Sequence, residues 1–118
     1  MITVLWDVGN RRVGLYIRGH AGAGPKGHDL VCAAVSVLAQ TAIYTAYKLS
    51  LSDDVQSVIE NGHAAILCRC REKEEHRRLC EAFSVIADGL FLLARRYPEN
   101  ITILKPLKAA ERSKNETE

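Results

Sequence analysis

The sequence predicts a single compact α+β domain in which a mixed or antiparallel sheet packs against two long helices. The chain has 118 residues, of which 47% are hydrophobic and 25% charged, as is typical of one globular domain. Short β-rich runs occur in pairs around turn residues, and two longer segments have helical character. In chain order these segments give ββαββαβ, with no internal repeat or linker, which indicates the α+β class.

The first half of the chain is predicted to be a β-hairpin followed by a helix. Two β-rich runs, residues 2–8 and 12–18, flank a turn that contains Gly9. After a glycine-rich stretch, residues 30 to about 50 form an apolar segment long enough for a membrane span. Alanine rather than leucine dominates it, and polar side chains interrupt it: Ser36, Gln40, Thr41, Thr45 and Lys48. We therefore predict a buried central helix and no membrane partner.

The second half of the chain is also predicted to begin with a β-hairpin that is followed by a helix. Residues 55–60 and 63–71 flank Asn61-Gly62, the strongest short hairpin signal in the chain. Residues 72 to about 96 are predicted to be a helix whose first turn, with residues 72–75, is solvated. Its apolar side chains recur at helical spacing and should face the core: Leu79, Phe83, Ile86, Leu90 and Leu93.

A last short strand is predicted at residues 101–104, after Pro98 ends the second helix. The remaining chain is small and charged. We therefore predict a folded domain over residues 1–107 and a disordered tail over residues 108–118.

Charge and cysteine content restrict the class of protein. The formal net charge is only +2, and no dense basic run appears, so direct nucleic-acid binding is not required. The first residues lack a basic leader followed by an apolar stretch, so we expect no signal peptide. The four cysteines are then expected to be reduced thiols in the cytoplasm.

A histidine and a cysteine flank the glycine-rich stretch. Cys32 lies in the first turn of the predicted helix, where unpaired N–H groups and the helix dipole favour a thiolate. His20 precedes the glycines and could accept the thiol proton if the loop folds back, as glycine permits. Asp29 can cap the helix or orient His20, and Ser36 shares a helix face with Cys32. A single cysteine in this position is equally compatible with a small buried core residue.

Two further motifs suggest other sites. Residues 22–27 fit G-x-G-x-x-G, but a dinucleotide site also needs a parallel βαβ unit and an acidic residue closing the next strand. Four side chains have zinc-ligand chemistry: Cys68, Cys70, His76 and Cys80. The simpler interpretation places Cys68 and Cys70 on the core face of a strand, so we expect no metal and no cofactor. A third alternative is a non-catalytic ribosome- or RNA-binding module that uses the scattered arginines.

The segment from Gly19 to Ser36 resembles the ribosomal-processing cysteine protease Prp family. That family shows a Gly-His, a glycine-bearing loop and then Gly-x-Asp-(Ile/Val/Leu)-Val-Cys-Ala-Ala-Val-Ser, which residues 27–36 match throughout. The match covers under a fifth of the chain. Chain length and element order also suit the family.

The resemblance implies a cysteine endopeptidase that removes a short N-terminal extension from the precursor of a bacterial large-subunit ribosomal protein. It implies His20 as general base and Cys32 as nucleophile, with Asp29 and Ser36 as supporting residues. It also implies a mobile substrate loop with glycines at four positions: Gly19, Gly22, Gly24 and Gly27. His28 is a second histidine near the thiol, so the identity of the base stays open. Family members are homodimers, and Gly89 in the second helix marks one candidate contact.

Overall fold

The protein, described by a computed structural model for residues 1–20, 22 and 29–105, has two layers. One layer is a five-stranded sheet in the order β3-β4-β2-β1-β5. The other layer consists of two helices that pack on one face of the sheet and against each other. The elements in chain order are β1 (Ile2–Val8), β2 (Arg12–Arg18), α1 (Leu30–Leu49), β3 (Val55–Glu60), β4 (His63–Arg69), α2 (Lys73–Arg96) and β5 (Ile101–Lys105). The predicted α+β class and the order ββαββαβ are confirmed.

The sheet is mixed because three of its four strand pairs are antiparallel and one is parallel. β1 pairs with β2, β2 with β4, and β3 with β4, all antiparallel, while β5 runs parallel to β1. The register pairs Arg18 with His63, and Glu60 with His63 across the β3–β4 turn. The turn between β3 and β4 therefore lies beside the residues that follow β2.

The core forms between the alternating inward side chains of the sheet and one stripe of each helix. Trp6 of β1 meets Phe83 of α2 edge-on, with ring centroids 6.2 Å apart and planes at 64°. The predicted core stripe of α2 is buried at Leu79, Phe83, Ile86 and Leu90 and half-buried at Leu93. Cys68 and Cys70 lie in this core, as the simpler interpretation of these residues expects.

The prediction that α1 is a buried central helix is wrong for half of its surface. Its buried side chains form one stripe: Val31, Val35, Ala39, Ala42 and Ala46. The opposite side exposes Leu30, Val37, Tyr44 and Tyr47. With a single sheet and two helices side by side, each helix can bury only the face that meets its neighbours. α1 is long and apolar enough to cross a membrane, yet it packs on β4, β3 and α2 as an element of this domain.

Gly89 serves packing within the chain. A Cβ at this position would lie 3.0 Å from Cδ2 of Leu38, so glycine lets α1 approach α2 closely. The suggestion that Gly89 provides room for a second copy is therefore not supported, since Leu38 fills that room.

The first turn of α2 is not solvated throughout, because Glu75 is only 1% exposed. Its Oε2 accepts from the backbone N–H of Leu51 at 2.7 Å, and its Oε1 accepts from that of Arg71 at 3.0 Å. Ser50 Oγ donates to it as well, at 3.3 Å. Burial raises the pKa of Glu75, but these donors outweigh that effect and hold the pKa below its usual value. The carboxylate thus ties the α1–β3 loop to the start of α2.

The predicted strand 63–71 ends earlier than expected, at Arg69. The next backbone N–H, that of Cys70, donates to the carbonyl of Arg11 at 2.6 Å. The chain therefore leaves the ladder toward the β1–β2 turn before α2 begins. The predicted tail at 108–118 lies outside the described residues.

Candidate active site

A cavity of about 900 Å³ opens where three parts of the fold meet. These parts are the residues after β2, the first three turns of α1 and the turn between β3 and β4. The predicted site residues that line it are Gly19, His20, Gly22, Asp29, Cys32 and Ser36. Residues 24, 27 and 28, which include two loop glycines and the second histidine, lie outside the described residues. The fold thus brings His20 and Cys32 to one cavity from opposite ends of the glycine-rich stretch.

Asp29 is the N-cap of α1. It has extended backbone angles (φ −84°, ψ 98°), and its Oδ1 accepts from the backbone N–H of Cys32 at 3.0 Å. Its carbonyl accepts from Ala33 N–H at 3.1 Å. Of the two roles left open by the sequence, capping is thus observed. Cys32 consequently lies in the first turn of α1, half-buried at the cavity wall.

Ser36 lies one turn beyond Cys32 on the same side of α1 and lines the same cavity. Its Oγ accepts a hydrogen bond from Nε2 of Gln40 at 2.9 Å. The Gln40 side-chain amide, one turn further along α1, thus orients the Ser36 hydroxyl. Because the Ser36 oxygen is the acceptor in this bond, its O–H can still act as a donor. Gln40 also lines the cavity, although the sequence did not single it out.

The backbone around His20 is held on both sides. Gly19 adopts φ +99°, and a Cβ there would lie 2.2 Å from the carbonyl oxygen of Met1, so this position requires glycine. The backbone nitrogen of Met1 donates to the His20 carbonyl at 2.6 Å. Gly19 N–H donates to the carbonyl of Gly62 at 2.9 Å. His20 thus sits between the start of β1 and the β3–β4 turn.

The β3–β4 turn is the part of the cavity that sequence reasoning missed. It contributes Ile59, Glu60, Asn61, Gly62 and His63. Asn61-Gly62 was identified only as a hairpin turn, and the hairpin is confirmed. Its closeness to the histidine depends on the pairing of Arg18 with His63, which short-range sequence patterns do not specify.

The other cysteines lie in a different environment, at the packing surface of α2. Burial is the main cause that raises the pKa of Cys68 to about 12 and that of Cys70 to about 11. Burial also raises the pKa of Cys80. Among the described residues, no group of three or more His, Cys, Asp or Glu side chains could hold a metal ion. The four candidate zinc ligands therefore do not converge.

The topology also disfavours the two remaining alternatives. β4 lies between the two strands that flank α1, so these are not the adjacent parallel pair of a dinucleotide fold. On α2, Arg77 forms ion pairs with both Glu74 and Glu81, and Arg69 of β4 pairs with Asp54. Two of the scattered arginines that a nucleic-acid-binding module would use, Arg69 and Arg77, are thus paired with carboxylates.

Comparison with known proteins identifies related folds. The family model described as cysteine protease Prp matches residues 1–102. No curated protein matches the chain. The essential ribosomal processing protease Prp from S. aureus, in complex with a covalently linked product peptide, has a TM-score of 0.66 and 25% identity over 87% of this chain and 97% of that one.

The same S. aureus protease in complex with a substrate peptide gives a TM-score of 0.67 and 24% identity, covering 89% of this chain and 99% of that one. A protein from Streptococcus mutans gives 0.63 and 25%, covering 87% and 91%. The likeness therefore covers nearly nine-tenths of this chain.

Proposed function

This chain belongs to the cysteine protease Prp family, and from that premise we propose that it removes a short N-terminal extension from a bacterial large-subunit ribosomal protein. The observation that carries the proposal is the placement of His20 and Cys32 on one cavity, with Cys32 in the capped first turn of α1. The S. aureus relatives, which hold a substrate peptide and a covalently linked product peptide, support the same class of substrate.

The proposed reaction begins with proton transfer from Cys32 to His20. The thiolate attacks the scissile carbonyl and forms a tetrahedral oxyanion. As the intermediate collapses, the C–N bond breaks, protonated His20 donates its proton to the leaving amine, and a thioester to Cys32 remains. Water then adds its OH to the acyl carbon and returns its proton to the Cys32 thiolate through His20, which releases the carboxylic acid product. Each bond broken is matched by one formed, and the enzyme returns to its starting protonation state.

Backbone N–H groups at the start of α1 are the proposed oxyanion donors. The N–H groups of Cys32 and Ala33 already donate to Asp29. Both residues line the cavity, whereas Leu30 and Val31 are not among the described residues that line it, so the oxyanion would compete with Asp29 for these two N–H groups. Such a donor is worth about 3 kcal/mol of transition-state stabilisation in comparable enzymes.

The supporting residues act through the two reactive groups. Asp29 fixes the helix start and thereby the position of Cys32, while Gln40 donates to the Ser36 hydroxyl and so orients it at the cavity wall. Of the loop glycines, Gly22, Gly24 and Gly27 let the chain between the base and the nucleophile settle around a bound peptide, while Gly19 allows the fixed backbone that carries His20.

We also propose a homodimer in the cytoplasm, where its ribosomal substrate is made. The support for a dimer is the apolar surface that α1 leaves uncovered, with an exposed side chain every seven residues along the helix: Leu30, Val37 and Tyr44. A second copy would cover this surface. Sedimentation of the protein and of Tyr44→Glu tests it, since the charge should shift the protein to monomer.

The decisive test is incubation of the protein with a ribosomal-protein precursor that carries its N-terminal extension, followed by mass analysis. The expected products are the free extension and the shortened protein, and alkylation of Cys32 should prevent both. A protein that binds the precursor or the ribosome without cleavage would instead be the non-catalytic binding module.

A further inference from the structure

We propose that Gly62 is a positioning residue that fixes the His20 imidazole through the absence of a side chain. The inference rests on the proposed function, in which His20 is the general base. Gly62 itself has no group that could react, so any effect on catalysis must pass through His20.

The ring of His20 lies directly on the backbone of the β3–β4 turn. A Cβ built on Gly62 would lie 2.8 Å from Nε2 of His20 and 3.4 Å from Cδ2 and Cε1. Ordinary contacts of a Cβ begin at 3.4 Å, so the imidazole occupies space that any other residue would need. The nearest ring atom is one of the two nitrogens that can exchange protons.

The same turn also holds the backbone that carries the histidine. The carbonyl of Gly62 accepts from Gly19 N–H at 2.9 Å, next to the pairing of Arg18 with His63. On the other side, the Met1 nitrogen bonds the His20 carbonyl. The main chain of residues 19 and 20 thus cannot yield freely, and a Cβ at position 62 must displace the ring.

Glycine at position 62 has a second role, which the test must separate from the first. Its φ of +76° is left-handed, whereas no other residue of the Asn61-Gly62 turn has positive φ. Alanine would therefore strain the turn as well as displace the ring, whereas asparagine tolerates this conformation better. Both Gly62→Ala and Gly62→Asn add a Cβ, but only the first adds the full backbone strain.

The experiment compares these two variants in precursor cleavage, thermal unfolding and iodoacetamide alkylation of Cys32 across about pH 5 to 9. We expect kcat to fall about 10- to 100-fold in both variants, because a displaced base transfers protons poorly, with KM within about threefold. The alkylation profile of both should approach that of His20→Ala. Gly62→Asn should unfold nearer the wild-type temperature than Gly62→Ala.

Gly9→Ala is the matched control. It alters a glycine in the other hairpin turn, where the three atoms nearest to the added Cβ all belong to the flexible side chain of Arg12. Its kcat and alkylation profile should equal those of the wild type. Wild-type kcat and an unchanged profile in Gly62→Asn would overturn the positioning role. Full cleavage by Cys32→Ala and by His20→Ala would instead overturn the proposed function. The failure of the positioning role and the failure of the proposed function therefore give different results.

Discussion

Among the described residues, two histidine–cysteine pairs lie in different surroundings, and the cavity of the candidate site is lined by one of them, His20 and Cys32. On α2, Cys80 Sγ lies 3.6 Å from Nε2 of His76, one helical turn away. At the cavity, Cys32 and His20 come from separate elements. Burial raises the pKa of Cys80, whereas Cys32 lies in the first turn of α1, near the positive end of the helix dipole. Nearness to a histidine therefore does not distinguish the two thiols; what distinguishes Cys32 is its position at a helix start and at the wall of the cavity.

The largest expected effect is the loss of cleavage in Cys32→Ala. Removing the nucleophile should lower kcat/KM by at least about 10³-fold while the melting temperature stays close to that of the wild type. Cys80→Ala is the matched control from the other pair and should cleave at the wild-type rate. Mass analysis of the precursor measures both variants. Undiminished turnover by Cys32→Ala would remove the distinction between the two pairs.

Alkylation of the intact protein should separate the thiols by rate. With a pKa of about 11, about one Cys70 thiol in 10³ is ionised at pH 8, and fewer at Cys68. We expect Cys32 to react with iodoacetamide at least about 10²-fold faster than either. Peptide mapping after brief exposure gives the site of label. Labelling of Cys68 before Cys32 would contradict the assignment.

His20→Ala should lower kcat by about 10²-fold or more, because a positioned base contributes this much to proton transfer. The variant His76→Ala removes the histidine of the other pair, which does not line the described part of the cavity, and should keep wild-type kcat. If both variants were equally active, the candidate bases would become His63, which lines the cavity, and His28, outside the described residues.

The smallest expected effect is on the free energy of unfolding, through the buried carboxylate at the start of α2. Glu75→Gln removes a buried charge that accepts several backbone N–H groups, and we expect a loss of about 1–3 kcal/mol at pH 7, measured by urea unfolding. Glu74→Gln is the exposed control on the same turn and should change stability little.

Measuring the free energy of unfolding as a function of pH tests whether the Glu75 carboxylate is the stabilising form. The folded-state pKa of Glu75 lies below its usual value, so its contribution is complete at neutral pH and is lost as pH falls through the folded-state pKa. Stability of the wild type should therefore converge on that of Glu75→Gln below about pH 4. A constant difference between the two proteins down to pH 2 would contradict this role.

Local patterns predicted most of the fold. The hairpin signal at Asn61-Gly62 and the spacing of apolar residues from Leu79 to Leu90 placed a turn and a core face correctly. Asp29 was a cap candidate from its type and position alone, and it caps α1. In each case the determining interactions lie within a few residues, where sequence is informative.

The parts that sequence missed depend on distant partners. Glu75 is buried because the N–H groups of Leu51 and Arg71 meet it, and no charge pattern in α2 reveals this. The exposed side of α1 follows from the number of layers in the domain rather than from its own composition. The place of Gly62 under His20 follows from strand register.

The contact between Trp6 and Phe83 has a practical consequence. Trp6 is the only tryptophan in the chain, it is 2% exposed, and it is not among the described residues that line the cavity. Its emission therefore reports whether α2 remains seated on the sheet, without a signal from the reactive groups. An optical titration of any variant can distinguish a disabled enzyme from an unfolded one in a single cuvette.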